Sequence, residues 1–477
     1  MSSQIRRVML PLLALASGCS GSAETLQPQG QILFFVDTDA PLPPAPAAMP
    51  DPSRVPWLFN HLRVDVLRDQ DDARLPLESR DFALHSDLFK AGPVSIGIVP
   101  RAGDGGLLAR ARLYRAEAVR EGEPLPSGTI DSTVRLPKVG AQGIVRVFTT
   151  LQVEDVGRAL GTPEPLTPDS EVPSQSRVDS WLGALPVACE RVAKRGEACV
   201  MGGAFWMGDL QVRDDDEVQD ADLPRLVALS PFQIDEHEVT VAEFRQLAGR
   251  LEQANETLPP EWSGGESGLS DENDYATYTR SSSAADPDDQ HGALPVNGVS
   301  WTTARAYCRA LGKDLPSEAE YEFLASGRGR EQAYVWGDDD PACADVVTGR
   351  AGFGVYATFD GSCRPDGSIG GALPPGSGSR DRVALGDPEK PSVVVDLAGN
   401  LSEWAVDFLN AQDEGIWAVP GVLRDPIAAE AGHAGLRRVV RGGSWRGRFI
   451  DLRAAARLGR DFDTENRSIG FRCVRPL

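Results

Sequence analysis

Positive charge, histidine, paired thiol motifs and long apolar runs are all scarce in this chain, and each scarcity removes a class of function. The formal net charge is −22 over 477 residues, which repels a phosphate backbone rather than neutralising it, so nucleic acid is not an expected partner. The five histidines, His61, His85, His237, His291 and His433, are spread singly, and isolated histidines more often serve as surface or core residues than as ligands. No Cys-x-x-Cys spacing occurs, so the seven cysteines do not read as a metal cluster. The N-terminal apolar run, Val8 to Ala16, is too short to cross a bilayer.

What is present is a soluble, globular composition, 41% hydrophobic, on a length that implies roughly two or three domains. Arg6 and Arg7 precede the Val8–Ala16 run, which suits the core of a signal peptide. It ends Ala16-Ser17-Gly18-Cys19, which resembles the bacterial lipobox, in which the cysteine thiol takes up a diacylglycerol and becomes the mature N-terminus. Alanine stands where leucine is commoner, and an ordinary secreted protein cut near the same place is the plainer reading. Ser20, rather than aspartate, points to the outer membrane. The expectation is a leader over residues 1–19, lipidation at Cys19, a polar tether over 20–30, and an outer-membrane lipoprotein of the cell envelope facing the periplasm or the cell surface.

Such a compartment is oxidising, so the remaining six cysteines count as bridges. Spacing favours the local loops Cys189–Cys199 and Cys343–Cys363. Cys308 and Cys473 then remain as a long-range pair.

Residues 31–160 read as a small antiparallel β-sandwich. Leu62, Val64 and Val66 alternate, as do Val94, Ile96 and Ile98, and the runs are broken by Pro- and Gly-bearing turns. No catalytic constellation is visible there, and a spacer or binding module is the expected role. Residues 161–185, rich in Pro, Ser, Thr and Asp, read as a linker. The second domain, 186–477, carries three helix starts. Thr240-Val241-Ala242-Glu243 and Ser317-Glu318-Ala319-Glu320 are capping boxes, and Ser300 caps a helix with Trp301, Ala304, Cys308 and Leu311 on one face. Leu226 to Ile234 reads as strand, Trp262 to Leu294 as a polar insertion, and the stretch from Gly337 to Pro391 lacks periodicity. The acidic runs Asp214–Glu217 and Asp338–Asp340 read as solvated surface.

The series GGAFWMGD, IDEHEVTVAEF, VSWTTARAYCRALGKDLPSEAEYEFLASGRG, YVWGD, VVDLAGNLSEWAVD, RVVRGGSW and IGFRCV resembles, in order, the formylglycine-generating enzyme or sulfatase-modifying-factor family. The resemblance covers about Val200 to Val474 and implies an irregular α+β domain related to C-type lectins. It also supports the Cys308–Cys473 pairing, because family members with cysteines in these two motifs bridge them.

Formylglycine-making members use two cysteines just after the Gly-Gly-Ser turn, whose soft thiolates bind copper. Here the run after Gly442-Gly443-Ser444 is Trp445-Arg446-Gly447-Arg448-Phe449-Ile450-Asp451, with Gly447 where the first cysteine is expected. Copper is therefore not expected, nor is the histidine-bound iron of other relatives. What the resemblance does carry over is a calcium loop, in which the Asp396 and Glu403 side chains and the Gly399 and Leu401 carbonyls supply hard oxygen donors. A second site would begin near Asp345 and Val346. Ser444, Trp445, Arg446, Arg448 and Arg457 are the candidate ligand-binding residues, since arginines beside a tryptophan suit carboxylate or sulfate recognition. The reading is a non-catalytic, ligand-binding or scaffolding family member, with a peptide, glycan or envelope protein as partner. The alternative is an oxidoreductase of the same family using a different metal on a protein or small thiol substrate.

Overall fold

The computed structural model describes residues 30–45, 57–69, 76–101, 106–140, 143–158, 172–208, 223–254, 275–277, 291–349, 363–367, 370–411 and 413–476. Cys19 with its leader, the tether up to residue 29, the Asp214–Glu217 run and most of the Trp262–Leu294 insertion lie outside these. Among the described residues the protein is mostly β with few helices.

Among the described residues the N-terminal part contains two larger sheets and a short hairpin of Val119–Arg120 with Glu123–Pro124. One has the order Val94–Ile98, Gln31–Thr38, Ile144–Leu151, and the other Glu78–Ala83, His61–Arg68, Leu107–Tyr114, Ile130–Leu136. Alternation places Leu62, Val64, Leu113 and Ile130 of the second sheet in one hydrophobic cluster with Phe34, Ile96 and Val147 of the first. The intervening Arg63, Asp65, Arg110 and Arg112 point the other way and pair with carboxylates or a hydroxyl. The expected all-antiparallel pairing does not hold: Ile144–Leu151 runs parallel to Gln31–Thr38. The chain reaches that strand by crossing over from the other sheet, so no hairpin dictates its direction.

The end of the expected linker is docked rather than loose. Trp181 is buried in the same cluster, its backbone N–H donates to Asp39 O at 3.0 Å, and its Nε1 donates to Glu154 at 2.9 Å. The N-terminal and C-terminal parts also share this core. Trp206 meets Phe59 edge-to-face with centroids 5.5 Å apart and donates to Leu58 O, while Gly421 N–H donates to Val156 O.

The C-terminal part is built from short strands. Its largest sheet has the order Arg457–Asp461, Arg437–Arg441, Ser402–Phe408, Ile469–Gly470. Two three-stranded sheets and a hairpin of Arg382–Leu385 with Ser392–Val395 complete it. Three helices pack among them: α1 (Val241–Gln253), α2 (Trp301–Ala310) and α3 (Glu318–Ala325). The sequence-predicted caps are in place, with Thr240 and Glu243 bonded reciprocally, Ser300 accepting from Thr303 N–H, and Ser317 and Glu320 closing a capping box. The stretch read as one strand from Leu226 to Ile234 is two, Arg225–Leu229 and Phe232–Asp235, which belong to different sheets. Ser230-Pro231 separates them. All three expected disulfides are formed, and Cys308–Cys473 fastens the C-terminal end to α2.

Candidate functional site

Two neighbouring features occupy the region singled out in the sequence: a tight turn at 442–451 and a buried acidic cluster beneath it. The strand Arg437–Arg441 enters the turn at Gly442, whose φ is +72° and where a Cβ would lie 2.7 Å from Tyr321 Oη and 2.9 Å from Leu397 O. Only glycine fits there. Gly443 N–H then donates to Ala398 O and Trp445 N–H to Asn400 O, so the turn is sewn to the loop at 396–403.

The predicted pocket residues are not brought together around an opening. Trp445 is buried, donates to Arg467 O at 3.0 Å and packs on Tyr275 with centroids 4.9 Å apart, in a small cluster with Val347, Leu373 and Leu401. Ser444 is buried, and its carbonyl accepts from Gly447 N–H at 2.7 Å. The Arg448 guanidinium closes back on Asp451 at 3.2 Å. Arg457 does not wall a pocket either. It lies in the interior, holding both oxygens of Glu318 at 2.7 and 2.9 Å and Asn410 O at 3.1 Å. Its charge is used to join the strand Arg457–Asp461 to α3, which a position between Ala456 and Leu458 did not advertise. Arg446 is exposed, with its guanidinium carbon 5.6 Å from the centre of the Trp445 ring.

Gly447 occupies the position where the family's first thiol is expected. Its carbonyl accepts from Thr348 Oγ1 at 2.9 Å, and a Cβ there would stand 3.0 Å from Ser444 N and 3.1 Å from Ser444 O. A side chain there would press on the Ser444 backbone, which would have to give by a few tenths of an ångström. All six described cysteines are engaged in disulfides.

The acidic cluster is the denser chemistry. Asp396, at φ +57°, has its carboxylate buried with Oδ2 accepting from Gly376 N–H at 2.6 Å. Asp381 accepts the N–H groups of Leu397, Ala398 and Gly399, and Glu238 accepts from Leu401 N–H and Asn400 Nδ2. Glu403 is held by Arg472, whose Nε and Nη2 reach its oxygens at 2.7–3.0 Å while Nη2 also donates to Val395 O and Asp396 O. Burial alone would lower Arg472; the Glu403 carboxylate reverses this and holds it firmly charged. Burial, reinforced by the charge of Asp381, pushes Asp396 up to about 8, and burial raises Asp381 to about 6. Glu238 is likewise raised well above the usual carboxylate range by burial, then by the charge of Asp396.

Asp396 and Glu403 are thus brought into one cluster, and both belong to a set that is rich in oxygen and poor in positive charge. Four buried carboxylates face one guanidinium there. Oxygen donors are what a hard cation takes, but both Glu403 oxygens are held by Arg472. Asp345 is not part of it: its carboxylate accepts from Ala342 N–H at 3.0 Å and closes a local turn. No group of three or more His, Cys, Asp or Glu among the described residues is arranged to hold a metal. Sequence reading missed Glu238, Asp381 and Arg472. The available signal was a charged residue embedded among buried apolar ones, as Arg472 is between Phe471 and Cys473.

The description "Sulfatase-modifying factor enzyme 1-like domain" matches residues 184–477. The chain is similar to a serine/threonine-protein kinase pkn1 of Chlamydia pneumoniae, 29% identical over 183 residues, with 38% of this chain and 24% of that protein covered. It therefore spans about a quarter of that relative's length. It is also similar to the inactive C-alpha-formylglycine-generating enzyme 2 of Bos taurus, 28% identical over 302 residues, with 57% of this chain and 85% of that protein covered. Among solved structures it is similar to PvdO from Pseudomonas aeruginosa, at 21% identity and a TM-score of 0.39, with 59% of this chain and 94% of that one covered. With the match running through well over half of its residues, the chain belongs to the sulfatase-modifying factor, or formylglycine-generating enzyme, family.

Proposed function

We propose that this protein is a non-catalytic member of its family, acting as a ligand-binding or scaffold module of the bacterial envelope. The observation that carries the proposal is the turn at Gly447, where no thiol is present and a side chain would press on the Ser444 backbone at 3.0 Å. Oxidation through copper needs soft sulfur ligands, and the turn carries none, its Arg448 being tied to Asp451. Similarity to a bovine protein named as inactive supports the same direction.

In this reading Cys19 anchors the chain to the outer membrane through its lipid, and residues 31–160 form a sandwich that presents the lectin-related C-terminal domain. The exposed Arg446 over Trp445 offers a cation to an anionic group on a peptide, glycan or envelope protein. Calcium is proposed as a structural ion held by the Asp396 and Glu403 side chains with the Gly399 and Leu401 carbonyls. It would offset the excess negative charge of the cluster and fix the loop that carries the turn.

Metal analysis of protein isolated from its native envelope tests both parts. Calcium alone is expected, with a melting temperature that falls by several degrees in chelator and recovers on adding calcium back. Stoichiometric copper or iron would replace the proposal by the oxidoreductase alternative.

A further inference from the structure

Five of the thirteen large hydrophobic residues exposed among the described residues fall in one short stretch: Leu182, Leu185, Val187, Val192 and Met201. Val192 is 94% exposed and Leu182 80%. The stretch is not loose. Val187 pairs with Gly202 through two backbone hydrogen bonds, and Cys189–Cys199 closes the loop that carries Val192 at its tip. Arg191, Lys194 and Arg195 flank that tip and are all exposed. None of the three makes an ion pair with a described residue, whereas Arg112, Arg441, Arg457 and Arg472 do, and they stand on a chain of net charge −22.

We propose that the Cys189–Cys199 loop with Leu182 and Leu185 docks on an anionic lipid surface. Aliphatic residues set directly beside cations match the boundary between acyl chains and headgroups. Val192 enters the apolar layer while Arg191, Lys194 and Arg195 remain at the depth of the phosphates, their stems lying along it. The disulfide fixes the tip in advance, so little ordering is required on contact. The loop's one exposed carboxylate, Glu190, adjoins Arg191, and three exposed cations stand against it. This docking does not depend on a lipid at Cys19.

The test uses the chain from Ser20 onward, which retains every described residue, in flotation with phosphatidylcholine vesicles with and without phosphatidylglycerol. Partition into the phosphatidylglycerol vesicles alone is expected, reversed by high salt. The triple variant R191E/K194E/R195E should reduce partition by roughly tenfold or more, taking the contribution of each surface cation near a charged membrane. V192D should also reduce it, and both variants should melt as wild type, because the altered side chains are exposed. Equal partition into neutral vesicles, no partition at all, or unchanged partition of the triple variant would overturn the proposal. Retention on immobilised polyglutamate without vesicle binding would overturn it in favour of an acidic protein partner.

Discussion

Replacing Arg472 by methionine would leave Glu403 buried without any of its guanidinium partners, and would also strip donors from Val395 O and Asp396 O. An orphaned buried charge of this kind costs about 3–5 kcal/mol. Chemical unfolding of R472M should show such a loss, and a change under about 1 kcal/mol would contradict the assignment. Asp407 gives a pH-dependent counterpart. Burial, then the charge of Glu318, raises its carboxyl to about 7 while it accepts the N–H groups of Glu318 and Ala428. A raised folded-state pKa means the folded protein holds its proton longer, so this contribution is complete below about pH 4 and lost as pH rises through about 7. Stability should therefore decline across that window, and D407N should flatten the decline by an amount on the order of 4 kcal/mol. At this scale the sequence was readable where chemistry is local. Gly447 announced the missing thiol, but Arg457 and Arg448 could not be told from pocket residues, because their carboxylate partners Glu318 and Asp451 are set by the fold.

The helices were legible because a capping box is written in four consecutive residues. Ser317 accepts from Glu320 N–H at 3.1 Å while Glu320 accepts from Ser317 N–H at 2.7 Å. S317A should cost about 1 kcal/mol, and S317G distinctly less, by thermal or urea unfolding. Strands fared differently. The strand Arg382–Leu385 sits inside the stretch that showed no periodicity and its hairpin partner Ser392–Val395 just beyond it, since four-residue strands give too few alternations to register. The direction of Ile144–Leu151 was likewise hidden, because parallel pairing with Gln31–Thr38 joins segments far apart in the chain. The acidic loop at 396–403 lies between these cases: its glycine and acids were visible, whereas the Arg472 and Glu238 that brace it come from distant segments.

As a whole molecule, the protein departs from the picture of a separate β-sandwich joined to its C-terminal domain by a linker. Trp206, from the C-terminal part, is buried against Phe59 and bonded to Leu58 O in the N-terminal core, and Arg424 reaches Glu154 across the same boundary. W206A should destabilise the protein by about 3–5 kcal/mol and weaken the coupling of the two parts, so that a single unfolding transition splits in two. A transition that stays single with unchanged midpoint would contradict this shared core. The composition of residues 161–185 suggested a linker, and the burial of Trp181 with the bonds of Ser176 and Arg177 to Asp37 shows why its second half is packed. The family assignment was open to reading from seven ordered motifs, since they cover strands, caps and turns that the fold needs in that order. The central claim concerns the turn at Gly447, and oxygen uptake tests it most directly. Protein supplied with one equivalent of copper(I) and a cysteine-containing peptide should bind no copper against a competing chelator and consume no oxygen beyond the protein-free control. Tight copper binding with peptide-dependent oxygen consumption would contradict the account.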